Sequence, residues 1–239
     1  MDFAIQISAY LIGIPLQILT IHAMLRKSYA EFPFVFAYVI GSFVAAVVEA
    51  PLSLAYYRNA DDKSVGYIYA LWYWIDEAVL EVLVFTVVLS LVYYATAKLP
   101  SRRLIRAALL VAALLFVGTT FAVTYQPGAS HQGIWLTPWF RDVKFGAAVL
   151  DLALWAMLLT SREKDQRILF LSCGLGIMFA GQAIGESIRS LAIARELHVV
   201  ATVGGLLGLA SDIAMMYVWW RTFRAQEPAA PRARPVRSV

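Results

Sequence analysis

Read along the chain, the apolar positions neither alternate nor keep to one helical face. They run together in seven long blocks separated by short polar breaks, over residues 3–25, 33–57, 66–97, 104–125, 138–160, 167–192 and 199–223. Each block reaches the roughly 20 residues that a helix needs to cross the hydrocarbon core of a bilayer. Helix is the form such a block must take there, because hydrocarbon leaves each backbone N–H and C=O to find its partner within the segment. The expected fold is therefore all-α, a polytopic transmembrane bundle of seven helices over residues 1–223. A disordered, basic cytoplasmic tail is expected over residues 224–239, where Pro, Ala and Arg offer nothing to bury. Gly13 and Pro15 interrupt the first block and Pro51 lies near the end of the second, so both helices are candidates for kinks that expose carbonyls to a cavity.

Composition sharpens this picture. Of 239 residues, 61% are hydrophobic and only 15% charged, where a soluble domain carries about a quarter; the mean hydropathy is +0.68. The connections are too short to hold a second, soluble domain. The single cysteine, Cys173, rules out an intrachain disulfide and reads as a buried structural thiol. The opening Met1-Asp2-Phe3 has no basic stretch of the kind that starts a signal peptide, so the first block is expected to be a retained helix.

Lys and Arg set the expected orientation, since cytoplasmic loops are enriched in both. With the N-terminus outside, the outer connections hold Arg58, Lys63, Arg141, Lys144, Arg189 and Arg195, leaving 14 of the 20 basic residues on the cytoplasmic side. The expectation is an N-terminus outside and a C-terminus inside, in a bacterial-type inner (plasma) membrane. Trp72, Trp74, Trp135 and Trp139 then fall at the outer boundary and Trp219 and Trp220 at the inner one, where indoles anchor.

Candidate chemistry rests on seven carboxylates inside the apolar blocks: Glu49, Asp76, Glu77, Glu81, Asp151, Glu186 and Asp212. Left facing lipid, each would cost roughly 2.5–3.5 kcal/mol, so they should turn inward and find partners. Glu49, Asp76, Glu77, Glu81 and Glu186 come from three helices and share the outer half, which with Asp142, Lys144 and Arg189 predicts a polar vestibule. Glu77 and Glu81 are one turn apart on one helix face. Both cannot stay ionised in an apolar setting without a cation, a proton, Lys144 or Arg189 between them. The candidate ligand-binding residues are therefore Glu49, Asp76, Glu77, Glu81, Lys144, Glu186 and Arg189. The plainer alternative for each is an interhelical ion pair or hydrogen bond that only holds the bundle.

Other patterns are weaker. Gln6, Tyr10, Gly13 and Gln17 form a polar stripe on the first helix, and Gln182 precedes Glu186 by one turn. Gly181/Gly185 and Gly204/Gly208 are small-xxx-small pairs, expected to pack the sixth helix on the seventh. His22, His131 and His198 have no metal or haem spacing between them; a metal shared by His131, His198 and the outer acids is a minor alternative, and no metal set is assigned. Nucleophile motifs, phosphate loops and CxxC pairs are absent, so no catalytic residue and no cofactor is assigned.

The outline of seven helices with an outer N-terminus resembles the microbial rhodopsins, but one turn after Asp212 stands Met216 in place of the retinal-bearing lysine, and that kinship is rejected. The stretch Arg26-Lys-Ser-Tyr-Ala-Glu-Phe-Pro-Phe-Val-Phe-Ala-Tyr38, with Tyr73-Trp-Ile-Asp-Glu77, resembles uncharacterised seven-helix bacterial membrane proteins. That resemblance implies the fold and carries no activity. The leading functional expectation is a sensor or accessory protein that binds a small ligand or cation in an acidic, outward-facing vestibule. A cation- or proton-coupled transporter and a structural subunit of a larger membrane complex are the alternatives. The expected partners are the lipid bilayer, the small ligand or cation, and a membrane-protein partner or further copies of the chain; the basic tail suits lipid headgroups better than nucleic acid.

Overall fold

The structure, a computed structural model, describes residues 3–26, 28–58, 62–98, 102–125, 133–160, 165–195 and 197–225. They form seven α-helices: α1 (Phe3–Leu25), α2 (Pro33–Arg58), α3 (Lys63–Ala95), α4 (Arg102–Thr124), α5 (Gly133–Thr160), α6 (Gln166–Ala194) and α7 (His198–Arg224), with one turn of 3-10 helix, Thr96–Lys98, after α3. No strand occurs among the described residues. Pro15 and Pro51 lie inside α1 and α2. The tail beyond residue 225 and His131 fall outside the described residues, as do the side chains of Trp135 and His198.

Among the described residues, six helices, all but α5, are long and apolar enough to cross a membrane. The exception carries Arg141, Asp142, Lys144 and Asp151 on its apolar frame. It also begins at Gly133, earlier than the start that Pro138 suggested. A proline removes one backbone donor, and the apolar residues before it continue the helix all the same.

The order of contacts defines the architecture. Neighbours pair as α1 with α2, α2 with α3, α3 with α5, α5 with α6, α6 with α7, and α7 with α1. Those six helices close into a ring, while α4 packs on α5 from outside it. Leu104, Leu110, Leu114, Leu115 and Val123 of α4 are consequently exposed.

One half of the ring is filled and the other is not. Along α3, the buried side chains begin only at Glu81 and continue through Val84, Val88 and Leu91. They join Val35, Val39, Leu154, Leu171, Leu175, Met215 and Trp219 in a single core. At that end Phe32 packs its ring against Tyr94 and Phe223, and Arg167 reaches Glu31 at 2.7 Å. At the opposite end the contacts are polar: Gln6 of α1 donates to Tyr69 of α3 at 3.4 Å.

Trp219 departs from its expected place at the membrane boundary. It is fully buried, donating its indole N–H to the Leu171 carbonyl at 2.9 Å, and it lies where a Cβ on Gly174 would meet it at 2.7 Å. A buried indole needs a partner for its N–H, and the gap left by Gly174 provides the approach. The glycines between α6 and α7 do what their spacing implies: a Cβ on Gly185 would sit 2.5 Å from the Gly204 carbonyl, and one on Gly204 would sit 2.6 Å from that of Gly185. Gly208 differs, with open space at its Cβ position.

Candidate functional site

The unfilled half of the ring encloses a cavity of about 240 Å³ to which α1, α2, α3, α5, α6 and α7 all contribute. Its chemistry is lopsided. Five carboxyl groups line it, from Glu49, Asp76, Glu77, Glu81 and Asp212, against one ammonium, that of Lys144. Neutral polar groups complete the wall, among them Tyr10 and Gln17 of α1, Ser42 of α2 and Gln182 of α6.

Helical spacing explains how each group arrives. Glu77 and Glu81, one turn apart on α3, both face α5. There Lys144 Nζ lies 2.7 Å from Glu81 Oε1 and 3.6 Å from Glu77 Oε1. Removing either charge alone would leave its partner buried without compensation, which typically costs about 3–5 kcal/mol. On α1 the polar stripe turns inward: Gln17 Nε2 donates to Ser42 Oγ of α2 at 2.8 Å, and Gln6 Nε2 donates to the Tyr10 hydroxyl at 3.2 Å. Between α6 and α7, Gln182 Nε2 donates to Asp212 Oδ1 at 2.7 Å.

Three acceptors on this wall have no partner: Glu81 Oε2, Gln17 Oε1 and Gln182 Oε1 are all buried and unbonded. Glu81 and Gln17 are only 6% and 8% exposed, so both oxygens are held out of bulk solvent while their side chains line the cavity. For Gln182 the orientation follows from its neighbour. A carboxylate only accepts, so the amide nitrogen must face Asp212 and the oxygen must be the free end. Buried acceptors without donors cost about 1–3 kcal/mol each.

The structure therefore brings together five of the seven residues predicted to bind a ligand: Glu49, Asp76, Glu77, Glu81 and Lys144. The other two, Glu186 and Arg189, are exposed and do not line the cavity, although Glu186 lies close enough to act electrostatically on Lys144 and Glu81; Lys144 is the one ammonium on the wall. Asp212 is the acid that sequence reasoning left out of the set; one helical turn separates it from Gly208 and Met216, and nothing local distinguishes it from a structural acid. The polar stripe on α1 was the available signal for Gln17. Asp151 goes elsewhere: it is buried between α5 and α6, accepting from Ser172 Oγ at 2.6 Å, and it shares no surface with Lys144's partners.

Among the described residues, no group of three His, Cys, Asp or Glu side chains is placed to hold a metal ion. The cavity acids are spread around a space far larger than one ion. Comparison with family models, with curated proteins and with solved structures finds no match to this chain.

Proposed function

We propose that this chain is a seven-span protein of a bacterial-type inner membrane, N-terminus outside and C-terminus cytoplasmic, which binds a small organic cation in its central cavity. The chemical class is a protonated amine. The observation that carries this reading is the charge of the cavity wall: five carboxyl groups, two of which share Lys144 at 2.7 and 3.6 Å, against a single ammonium. Water can supply a donor but no charge. An ammonium supplies up to three donors and one positive charge, which is what a five-to-one excess of acids calls for.

The membrane reading is supported by six long apolar helices and by the charged helix α5, which turns Lys144 towards acids and Asp151 towards a hydroxyl. Intramembrane charge is tolerated in such interior positions. The orientation is supported by the distribution of Lys and Arg between the connections. The transporter alternative needs acids at successive depths along one path. Asp212 belongs to the same cavity as Glu81, and beyond it the core closes with Met215, Trp219 and Phe223. Binding without relay is the reading this arrangement favours, as in a sensor or accessory subunit.

The test is thermal unfolding of the detergent-purified protein with ethylammonium, Na⁺, K⁺, Mg²⁺ or Ca²⁺ added. Ethylammonium is expected to raise the melting temperature saturably, by the equivalent of about 2.7 kcal/mol at a hundred times its Kd. The rise should vanish in Asp212→Asn and Glu49→Gln. A wild type indifferent to ethylammonium at every concentration would overturn the proposal.

A further inference from the structure

Glu49 and Asp76 face two spaces at once. They line the central cavity, and they also form the floor of a second hollow of about 270 Å³ on the outside of the ring, between α2 and α3. Ala45 and Leu80 are common to both as well, so the partition is one side chain thick. The outer hollow is otherwise apolar, walled by Val44, Val48, Trp72, Ile75 and Val79. Val44, Ile75 and Val79 are each about half exposed, and in a bilayer this face meets lipid. Gly41 allows the close approach of the two helices at its edge, since a Cβ there would stand 3.0 Å from the Leu83 side chain.

The hollow presents almost no polar surface, so Glu49 and Asp76 border it with their carbon atoms while their carboxyl groups belong to the cavity. The groove and the cavity together offer opposite environments within one ligand length. A cation alone would leave the groove empty, and a neutral hydrocarbon would leave the acids uncompensated. A phospholipid would bring an anionic phosphate against carboxylates. On this ground, and resting on the amine reading of the cavity, we infer that the ligand is a single-chain amphiphilic amine: its ammonium sits among the cavity acids and its hydrocarbon chain leaves between α2 and α3, along Val44, Ile75 and Val79. The ligand enters sideways from the membrane, past Glu49 and Asp76. A second outer groove, between α1 and α7 along Ile12, Leu206 and Ala210, adjoins the cavity too, but no charged side chain lines it, so it lacks the group that would guide an ammonium inward.

The test compares ethylammonium with octylammonium on the purified full chain in phosphatidylcholine nanodiscs, by calorimetric titration. For wild type, octylammonium should bind at least about tenfold more tightly, as burial of several methylenes allows. Val79→Trp and, separately, Val44→Trp fill the groove and should abolish this gain while ethylammonium binds as before, which also establishes that the variants are folded. Ile12→Trp, in the other groove, should keep the gain. If ethylammonium binds wild type but octylammonium binds no better, or if the gain survives both groove-filling substitutions, the inference is overturned and the cavity reading stands. If neither amine binds wild type, the cavity reading fails and takes this one with it.

Discussion

Lys144 of α5 stands 2.7 Å from one oxygen of Glu81 and 3.6 Å from Glu77 on α3, so a single ammonium ties two helices and serves two carboxylates. That economy leaves the site short of positive charge and gives Lys144 a structural role separable from ligand binding. Lys144→Met should lower stability by about 3–5 kcal/mol, the usual cost of stranding buried charge. Adding Glu81→Gln and Glu77→Gln should recover most of the loss. Denaturation of the three proteins in the same detergent checks this. A Lys144→Met variant as stable as wild type would mean that the acids need no counter-charge from the protein.

The contact of α6 with α7 depends on three of the four glycines in the paired motifs: Gly181, whose Cβ would run into Ser211, and Gly185 and Gly204, which face each other's backbone. Gly185→Ala and Gly204→Ala each drive a methyl into the opposite backbone carbonyl, where no flexible side chain can yield. Each should cost about 1–3 kcal/mol, the range for overpacking. Gly208→Ala and Gly118→Ala place a methyl in open space and should be neutral, or stabilising by up to about 1 kcal/mol through helix propensity. Thermal unfolding of the four variants separates a specific helix crossing from a general preference for small residues.

Orientation in the membrane is open to direct labelling. With Cys173 replaced by Ser, a cysteine placed next to Met1 should react with membrane-impermeant maleimide in intact cells. A cysteine placed after Arg224 should react only once the cells are broken. The reverse pattern would sink the proposed topology.

The start of α3 should respond to acid. The Asp62 carboxylate caps the helix, accepting from the Ser64 backbone N–H at 2.8 Å and from its hydroxyl at 2.7 Å, and these bonds hold its pKa below the ordinary aspartate value. A depressed pKa means stabilisation that is complete above the unfolded value of about 3.9 and disappears as pH falls through the folded one. Amide exchange in the first turn of α3 should therefore accelerate below about pH 4 relative to the helix middle, after correction for intrinsic rates. In Asp62→Ala the turn should exchange quickly at every pH, with no acid-dependent step.

What the linear pattern could determine was the set of elements. Seven apolar blocks became seven helices with ends shifted by a few residues, because block length and backbone satisfaction are local properties. The pairing of Glu77 with Glu81, the inward stripe of Gln6, Tyr10 and Gln17, and the packing of Gly185 on Gly204 were legible for the same reason: helical periodicity places such groups on one face whatever surrounds them. Which faces meet is not local. The ring leaves out α4 and admits α5, because Lys144 and Asp151 find partners there, and composition does not disclose a partner. Asp212 lines the cavity, Glu186 and Arg189 do not, and Trp219 went to the core, since each outcome depends on what the neighbouring helix presents at that depth. The cavity itself was decided only by tertiary structure: large side chains fill one half of the ring from Glu81 onward, and the other half is left open. An empty volume belongs to the spacing between helices and to no residue in the chain.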